Sequence, residues 1–357
     1  MAAGDIINGY KLTTDWKVVG GMSEVAFAIK GDKEWFIKKF ISPKYPTADS
    51  PGSDRIKEQK RKNCDEFERR QKTLNSKIGS KCGLGGNLVY AYDFFRSDTC
   101  YYKINEKIDV SSVLISDICR FDKKDILIIM KSLVHSLRIM HKEKIVHGDL
   151  KPDNILIKKT KTGTYTTKLI DFDDSYFSGE PPKDREMVVG TPEYYSPELY
   201  DYISDEDEEF SGNILTVQSD IFALGVIFTE YLTGEKPIIP KDYVATYSAV
   251  KNRAKISFKK SRNLSSSLEA LLLDMLQLEA NKRPTIDEVF NRLKIEPETM
   301  VAVEPISTPT KVRIRSTFTS TGVETKKPIE TPLPTTAGGS KLRGKGLDIA
   351  NGKKLKD

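Results

Sequence analysis

The chain begins in alternating apolar and polar positions and ends with no periodicity at all. Across residues 10–40, short runs of β-branched and aromatic residues are interrupted at Gly20-Gly21 and Gly31-Asp32. This predicts a three-strand meander, with strands at 25–29 and 35–40 flanking the second interruption. Residues 43–52 are rich in Pro, Ser and Asp and read as a loop. Charge then crowds 56–77, yet Phe67, Leu74 and Ile78 mark an apolar stripe, so one amphipathic helix is expected. Segments 88–95 and 100–104 return to strand-like composition. The expected product is a small antiparallel lobe of five strands and one helix.

Beyond Asp109 the period changes. Ile126, Met130, Leu133, Leu137 and Met140 recur at helical spacing and predict a helix with a core-facing stripe. Residues 221–228 are apolar almost all round, as in a helix buried at the centre of a lobe. Leu268, Leu271, Leu272, Met275 and Leu276 predict another, and Thr285 followed by Glu288 has the form of a capping box opening a last one. After residue 297 the chain turns to Thr, Ser, Pro, Gly and Lys, and a disordered basic tail is expected over 297–357. The acidic run at 204–209 reads as a solvated insertion.

Composition narrows the function classes. A chain of 357 residues holds one large domain and a tail, and a net charge of +6 with both signs intermixed leaves no nucleic-acid footprint. Cys64, Cys82, Cys100 and Cys119 have no metal-finger spacing and suit a reducing compartment. The first residues lack a basic start followed by an apolar core, and no apolar run approaches the ~18 residues of a membrane span. The expectation is a soluble cytoplasmic protein without a membrane span or nucleic-acid partner; its oligomeric state is not written in the sequence.

Chemistry concentrates in His147-Gly148-Asp149-Leu150-Lys151-Pro152-Asp153-Asn154. Asp149 can orient a hydroxyl, Lys151 can hold a phosphoryl oxygen, and Asn154 can bind a metal. Seventeen residues past Asn154, an apolar run delivers Asp171 ahead of Phe172 and Asp173. One amide and one carboxylate suffice for Mg²⁺ shared with nucleotide phosphates, because this hard cation takes oxygen ligands and keeps several waters.

With these motifs the chain resembles the eukaryotic-type serine/threonine protein kinases, in the divergent form found in bacteria and phages. The resemblance implies an α+β bilobal protein-kinase fold over 10–295. Its N-lobe is expected at 10–104, its hinge at 105–109 and its helical C-lobe at 110–295. It implies ATP and Mg²⁺ as cofactors, with Mn²⁺ as a possible substitute, and Ser/Thr hydroxyls of protein substrates as acceptors. Asn154 and Asp171 would be the metal ligands. Gly20 and Gly21 would lie in the loop over the phosphates; with Val25 as the family's valine, the three glycine positions fall on Val18, Gly20 and Ser23. Lys38 would contact the α- and β-phosphates, with Lys39 as the shifted-register alternative and Phe36 where the family usually has alanine. Glu68 is the chosen partner glutamate for Lys38, and Gln71, on the apolar stripe, is the alternative occupant of that place. The hinge backbone at Glu106 and Ile108 would meet adenine.

The segment Gly190-Thr191-Pro192-Glu193-Tyr194-Tyr195-Ser196-Pro197-Glu198 matches the family's platform for the acceptor peptide, which includes Thr191. Glu198 would pair with Arg283, and Asp220 would accept backbone N–H groups of the catalytic loop. His147 would be structural, packing under the metal loop. Gly148 replaces the family's arginine, which makes activation by loop phosphorylation less expected. Asp173 replaces its glycine, where it could bind metal, face solvent or repel nucleotide. Two rivals follow from the departures at Val18, Phe36, Gly148 and Asp173: a pseudokinase that binds nucleotide or serves as a scaffold, and a small-molecule kinase. Thr308, Thr310, Thr317, Thr319 and Thr321 in the tail are candidate autophosphorylation sites, with a purely solubilising tail as the alternative reading.

Overall fold

Seven strands, two more than expected, build the N-terminal sheet. The computed structural model describes residues 2–19, 23–81, 86–108, 113–182, 185, 188, 190–204 and 211–298. The strands are β1 (Ile6–Ile7), β2 (Tyr10–Leu12), β3 (Lys17–Val19), β4 (Ser23–Lys30), β5 (Lys33–Phe40), β6 (Ala91–Ser97) and β7 (Cys100–Glu106). They run antiparallel in the order β1-β2-β4-β5-β7-β6, with β3 also pairing β4. The first extra strand arises from Asn8-Gly9, whose φ values of 48° and 82° suit the two-residue turn that opposes Ile7 to Tyr10. The second arises where one expected strand is cut in two. Thr13 N donates to Phe27 O at 2.8 Å and Phe27 N donates to Thr14 Oγ1 at 2.9 Å, so a side chain replaces a rung of the ladder between β2 and β3.

The expected strand at 88–95 starts later. Val89 N donates to Leu169 O at 3.0 Å and Leu169 N to Asn87 O at 2.7 Å, which binds this segment to the C-lobe before β6 begins. Helix α1 (Asp54–Gly79) is capped by Ser53 and buries Cys64, Phe67, Gln71, Leu74 and Ile78. Gln71 is the polar member of that stripe, only 4% exposed.

In the C-lobe, α2 (Ile115–Ile118) precedes α3 (Lys123–Lys142), and all five of the stripe residues expected on α3 are buried. Strand β8 (Ile145–Val146) leads into residues 147–154, the candidate catalytic loop, and the hairpin of β9 (Ile155–Lys159) and β10 (Tyr165–Leu169) carries the chain to residues 171–173, the candidate metal loop. β11 (Tyr176–Phe177) then pairs back onto β8. Thus two short antiparallel pairs hold both loops side by side. The remaining helices are α4 (Pro197–Ser204), α5 (Gln218–Thr233), α6 (Thr246–Lys251), α7 (Ser266–Met275) and α8 (Ile286–Ile295). From Ser219 to its end, α5 is buried on every face. A Cβ at Gly225 would lie 3.1 Å from both Met275 Cβ and Leu276 Cδ2, so the missing side chain lets α5 approach the end of α7. Among the described residues no helix is long and apolar enough to cross a membrane.

Candidate active site

The catalytic loop is tied together by its own side chains. Asn154 Nδ2 donates to Asp149 O at 2.8 Å and to Asp149 Oδ2 at 3.2 Å, which turns Asn154 Oδ1 away from the aspartate and leaves it free to serve as a ligand. Lys151 Nζ lies 2.6 Å from Asp149 Oδ2 and donates to Thr191 Oγ1 at 3.0 Å. Thr191 Oγ1 donates in turn to Asp149 Oδ1 at 3.1 Å. Asp149, Lys151 and Thr191 therefore close a triangle between the catalytic loop and the segment expected to present the acceptor.

Beneath the loop, Asp220 of α5 accepts from His147 N at 2.9 Å and Gly148 N at 3.4 Å, and meets His141 Nε2 at 3.0 Å. His147 Nε2 lies 3.2 Å from Ile170 O, and the ring packs edge-on against Phe172 at 5.4 Å. Burial pushes the His147 imidazole below its ordinary value in spite of Asp220 and Asp149 nearby. Neutral at pH 7, it donates from Nε2 to Ile170 O. Gly148 has φ +86°, and a Cβ there would come within 2.2 Å of Asp174 O. The metal loop occupies the space that an arginine side chain would have to leave by.

Asp171 sits in the left-handed region, at φ 61°, a conformation uncommon for any residue but glycine. Its carboxylate accepts from Lys38 Nζ at 3.1 and 3.2 Å. β5 alternation decides between the two candidate lysines, since Lys39 points to the other face and pairs with Glu24 at 2.6 Å. Phe36, on the Lys38 side, meets Phe27 edge-on at 6.0 Å.

The expected partnership of Lys38 with Glu68 does not form. Glu68 lies on an outer face of α1, where it pairs with Lys72 at 2.5 Å. Gln71 occupies the inward position and donates to Asp173 O at 3.1 Å. Lys38 meets Asp173 instead, and Lys103 Nζ lies 2.6 Å from Asp173 Oδ1. Asp173 thus faces two cations, and solvent reaches only 11% of its side chain. Burial raises the Asp173 carboxyl, but Lys103 and Lys38 outweigh it and hold the group well below the ordinary range. Burial and Asp173 push Asp171 up, opposed by Lys38 and Lys103. Asp174, buried and surrounded by Asp173, Asp171 and Asp149, is pushed up to about 7. Sequence reasoning missed Lys103; its one signal was a lysine inside the apolar strand β7.

Glu198 and Arg283 form a two-pronged pair, both contacts at 2.7 Å. Arg283 also donates to Gln277 O, Gln218 O and Leu278 O, and Ser219 Oγ donates to Glu198 Oε1, so the buried guanidinium is fully engaged. Of the residues expected to lie near nucleotide, Val18 is exposed, while Ser23 is buried at the start of β4 with Oγ 3.3 Å from Val19 O. Val25 opposes Lys38 on the neighbouring strand. β7 ends at Glu106, and Ile108 follows, half-buried. Gly20, Gly21, Asp109 and the tail threonines lie outside the described residues.

The donor set suits a hard cation: Asn154 Oδ1 and the Asp171 carboxylate are both oxygen donors. Among the described residues no group of three or more His, Cys, Asp or Glu could hold a metal alone, so a cation here needs further oxygen from phosphates and water.

The family model for the protein kinase domain matches residues 55–293. The serine/threonine-protein kinase PSK2 of Saccharomyces cerevisiae is 29% identical over 211 residues, covering 57% of this chain and 17% of that protein. The Aurora kinase of the same yeast is 33% identical over 158 residues, covering 44% of this chain and 38% of that protein. The aligned part of this chain thus spans well under half the length of either relative. With the model matching most of the folded region, the chain belongs to the protein kinase domain family.

Proposed function

We propose that the protein is an ATP-dependent serine/threonine protein kinase acting on cytoplasmic protein substrates. The observation that carries this reading is the triangle of Asp149, Lys151 and Thr191, which joins the catalytic carboxylate to the acceptor platform through a side-chain hydroxyl. In this reading Asp149 orients the acceptor hydroxyl and takes its proton, and Lys151 neutralises charge on the transferring phosphoryl. Lys38 holds the α- and β-phosphates. Asn154 and Asp171 hold Mg²⁺, or Mn²⁺ in its place, which when bound neutralises phosphate charge. Ser/Thr specificity rests on Lys151, by resemblance to the family, and on the similarity to the yeast serine/threonine-protein kinase PSK2.

Two departures from the family pattern carry their own compensation, which favours transfer over a pseudokinase. Asp173 is neutralised by Lys103 and Lys38, and so presents no free negative charge to nucleotide. Gly148 accommodates Asp174. The test is transfer of labelled γ-phosphate from ATP–Mg²⁺ to the chain itself and to a generic basic protein. Asp149→Asn is expected to cost about 10²–10⁴-fold in rate, and Asp171→Asn to abolish transfer. Nucleotide binding without transfer by the wild type would return the pseudokinase reading. Mass-spectrometric mapping after the same incubation would locate phosphate on Thr308, Thr310, Thr317, Thr319 or Thr321 if the tail is a substrate.

A further inference from the structure

Lys38 and Lys103 are directly opposed across the β5–β7 pair, so both side chains project to the same face. They are 15% and 6% exposed. Like charges so placed, with little water between them, repel strongly and need a shared anion. The helix supplies none: α1 offers Gln71, whose amide reaches the Asp173 backbone, while Glu68 is engaged by Lys72. Asp173 answers both lysines, one carboxylate oxygen to each.

We propose that Asp173, held by Lys103, is the positioning carboxylate for Lys38, doing from the metal loop what a helix glutamate does in the family this chain resembles. The proposal rests on the protein kinase reading of the site. Lys103 and Asp173 form a matched unit. With glycine at 173, Lys103 would be a buried cation without a partner, and with an apolar residue at 103, Asp173 would lean on Lys38 alone and draw it from Asp171. Because Asp173 is two residues from Asp171, the lysine and the metal loop are set by one short segment. In this arrangement α1 supplies no carboxylate: it contributes packing, the Gln71 hydrogen bond and the Arg70 cation near Asp173 and Asp174.

The test exchanges one arrangement for the other. Lys103→Met with Asp173→Gly removes one cation and one anion together, so no buried charge is stranded. Adding Gln71→Glu to this pair returns a helix carboxylate. Thermal unfolding would establish folding, and kcat and the KM values for ATP and for the protein acceptor would be measured for wild type, the double and the triple variant. The double variant is expected to lose at least about tenfold in kcat, through misplacement of Lys38, with the KM for the protein acceptor little changed. The triple variant is expected to recover most of that loss, which a merely structural role for Asp173 would not allow. A double variant within about twofold of wild type, or a folded triple variant that recovers nothing, would overturn the proposal. Should the double variant not fold, Asp173→Asn, which keeps the shape, takes its place with the same expected loss. If wild type transfers no phosphate, the kinase reading fails by itself. ATP–Mg²⁺ affinity across the same proteins then decides the positioning role, because Lys38 is assigned to the phosphates whether or not transfer follows.

Discussion

Gly148 carries the sharpest steric constraint near the candidate site. Its φ of +86° costs an L-residue energy wherever it occurs, and the 2.2 Å approach of a Cβ to Asp174 O adds a clash with backbone that cannot rotate away. Gly148→Ala is expected to destabilise by about 2–4 kcal/mol, measured by urea unfolding, and Gly148→Arg by no less. His147 yields a pH prediction. Its folded-state pKa lies below the ordinary 6.5, so the unfolded chain binds more protons between the two values. The stability it contributes is present above pH 6.5 and is lost as pH falls towards the folded-state value. Wild type should therefore lose more stability than His147→Gln between pH 7 and pH 5, and parallel curves would reject the assignment. The hydrogen-bonded cluster of the candidate catalytic loop was legible because its residues lie within one octet. The pairing of Asp173 with Lys103 was not, since the two stand 70 positions apart: Asp173 stood out as a departure from the family pattern, and Lys103 was not singled out at all. The helix partner was misassigned because Glu68 and Gln71 differ in facing by less than a turn, and only packing settles which one points inward.

Helix and strand features divide along the same line between local and distant signals. The α8 capping box was readable from four residues, and the structure forms it in both directions: Thr285 N donates to Glu288 Oε2 at 2.7 Å and Glu288 N to Thr285 Oγ1 at 3.3 Å. Thr285→Ala should cost about 1 kcal/mol in chemical denaturation, with little effect on catalysis. Glu198 and Arg283 bind the start of α4 to the approach to α8, 85 positions away. Glu198→Ala would leave the buried guanidinium without its counter-ion, and a loss of about 3–5 kcal/mol is expected from the same measurement. The count of strands fell short for two local reasons. Asn8-Gly9 is a hairpin signal that went unread, and Thr13-Thr14 interrupts a strand through a side-chain hydrogen bond that periodicity does not register. The long helices α1 and α3 were legible because their apolar stripes repeat over several turns, and a repeated signal survives one polar exception such as Gln71; α5 was legible because its run is apolar almost all round.

At the scale of the molecule, the metal loop is where the sheet lobe and the helical lobe are joined by charge. Lys38 and Lys103 come from the sheet, Gln71 from α1, and all three meet the short segment from Asp171 to Asp173. A further buried ion pair closes the far end of the folded region. Lys123, at the start of α3, lies 2.6 Å from Glu296 Oε1, and Ser265 and Ser267 donate to the same carboxylate at 2.5 Å each. Burial raises this carboxyl, but the hydrogen bonds from Lys123, Ser265 and Ser267 outweigh it and bring its pKa below the ordinary value. Glu296 therefore joins α3, the start of α7 and the end of α8 from a position just past the last helix. Ending the chain at Ile295 instead of Glu298 removes that carboxylate together with the exposed 3.8 Å pair of Glu298 with Lys131, and leaves Lys123 only the new chain-terminal carboxylate at Ile295 as a nearby substitute. The shorter chain is expected to lose about 3 kcal/mol relative to the longer one, several degrees in melting temperature. The lowered pKa sets the sign with pH: the contribution is present above the unfolded-state value of 4.5 and fades as pH falls through the folded-state value. The gap between the two chains should accordingly be widest near neutrality and narrow in acid. Equal melting temperatures at pH 7 would mean that Lys123 finds another partner and that the folded region does not depend on Glu296.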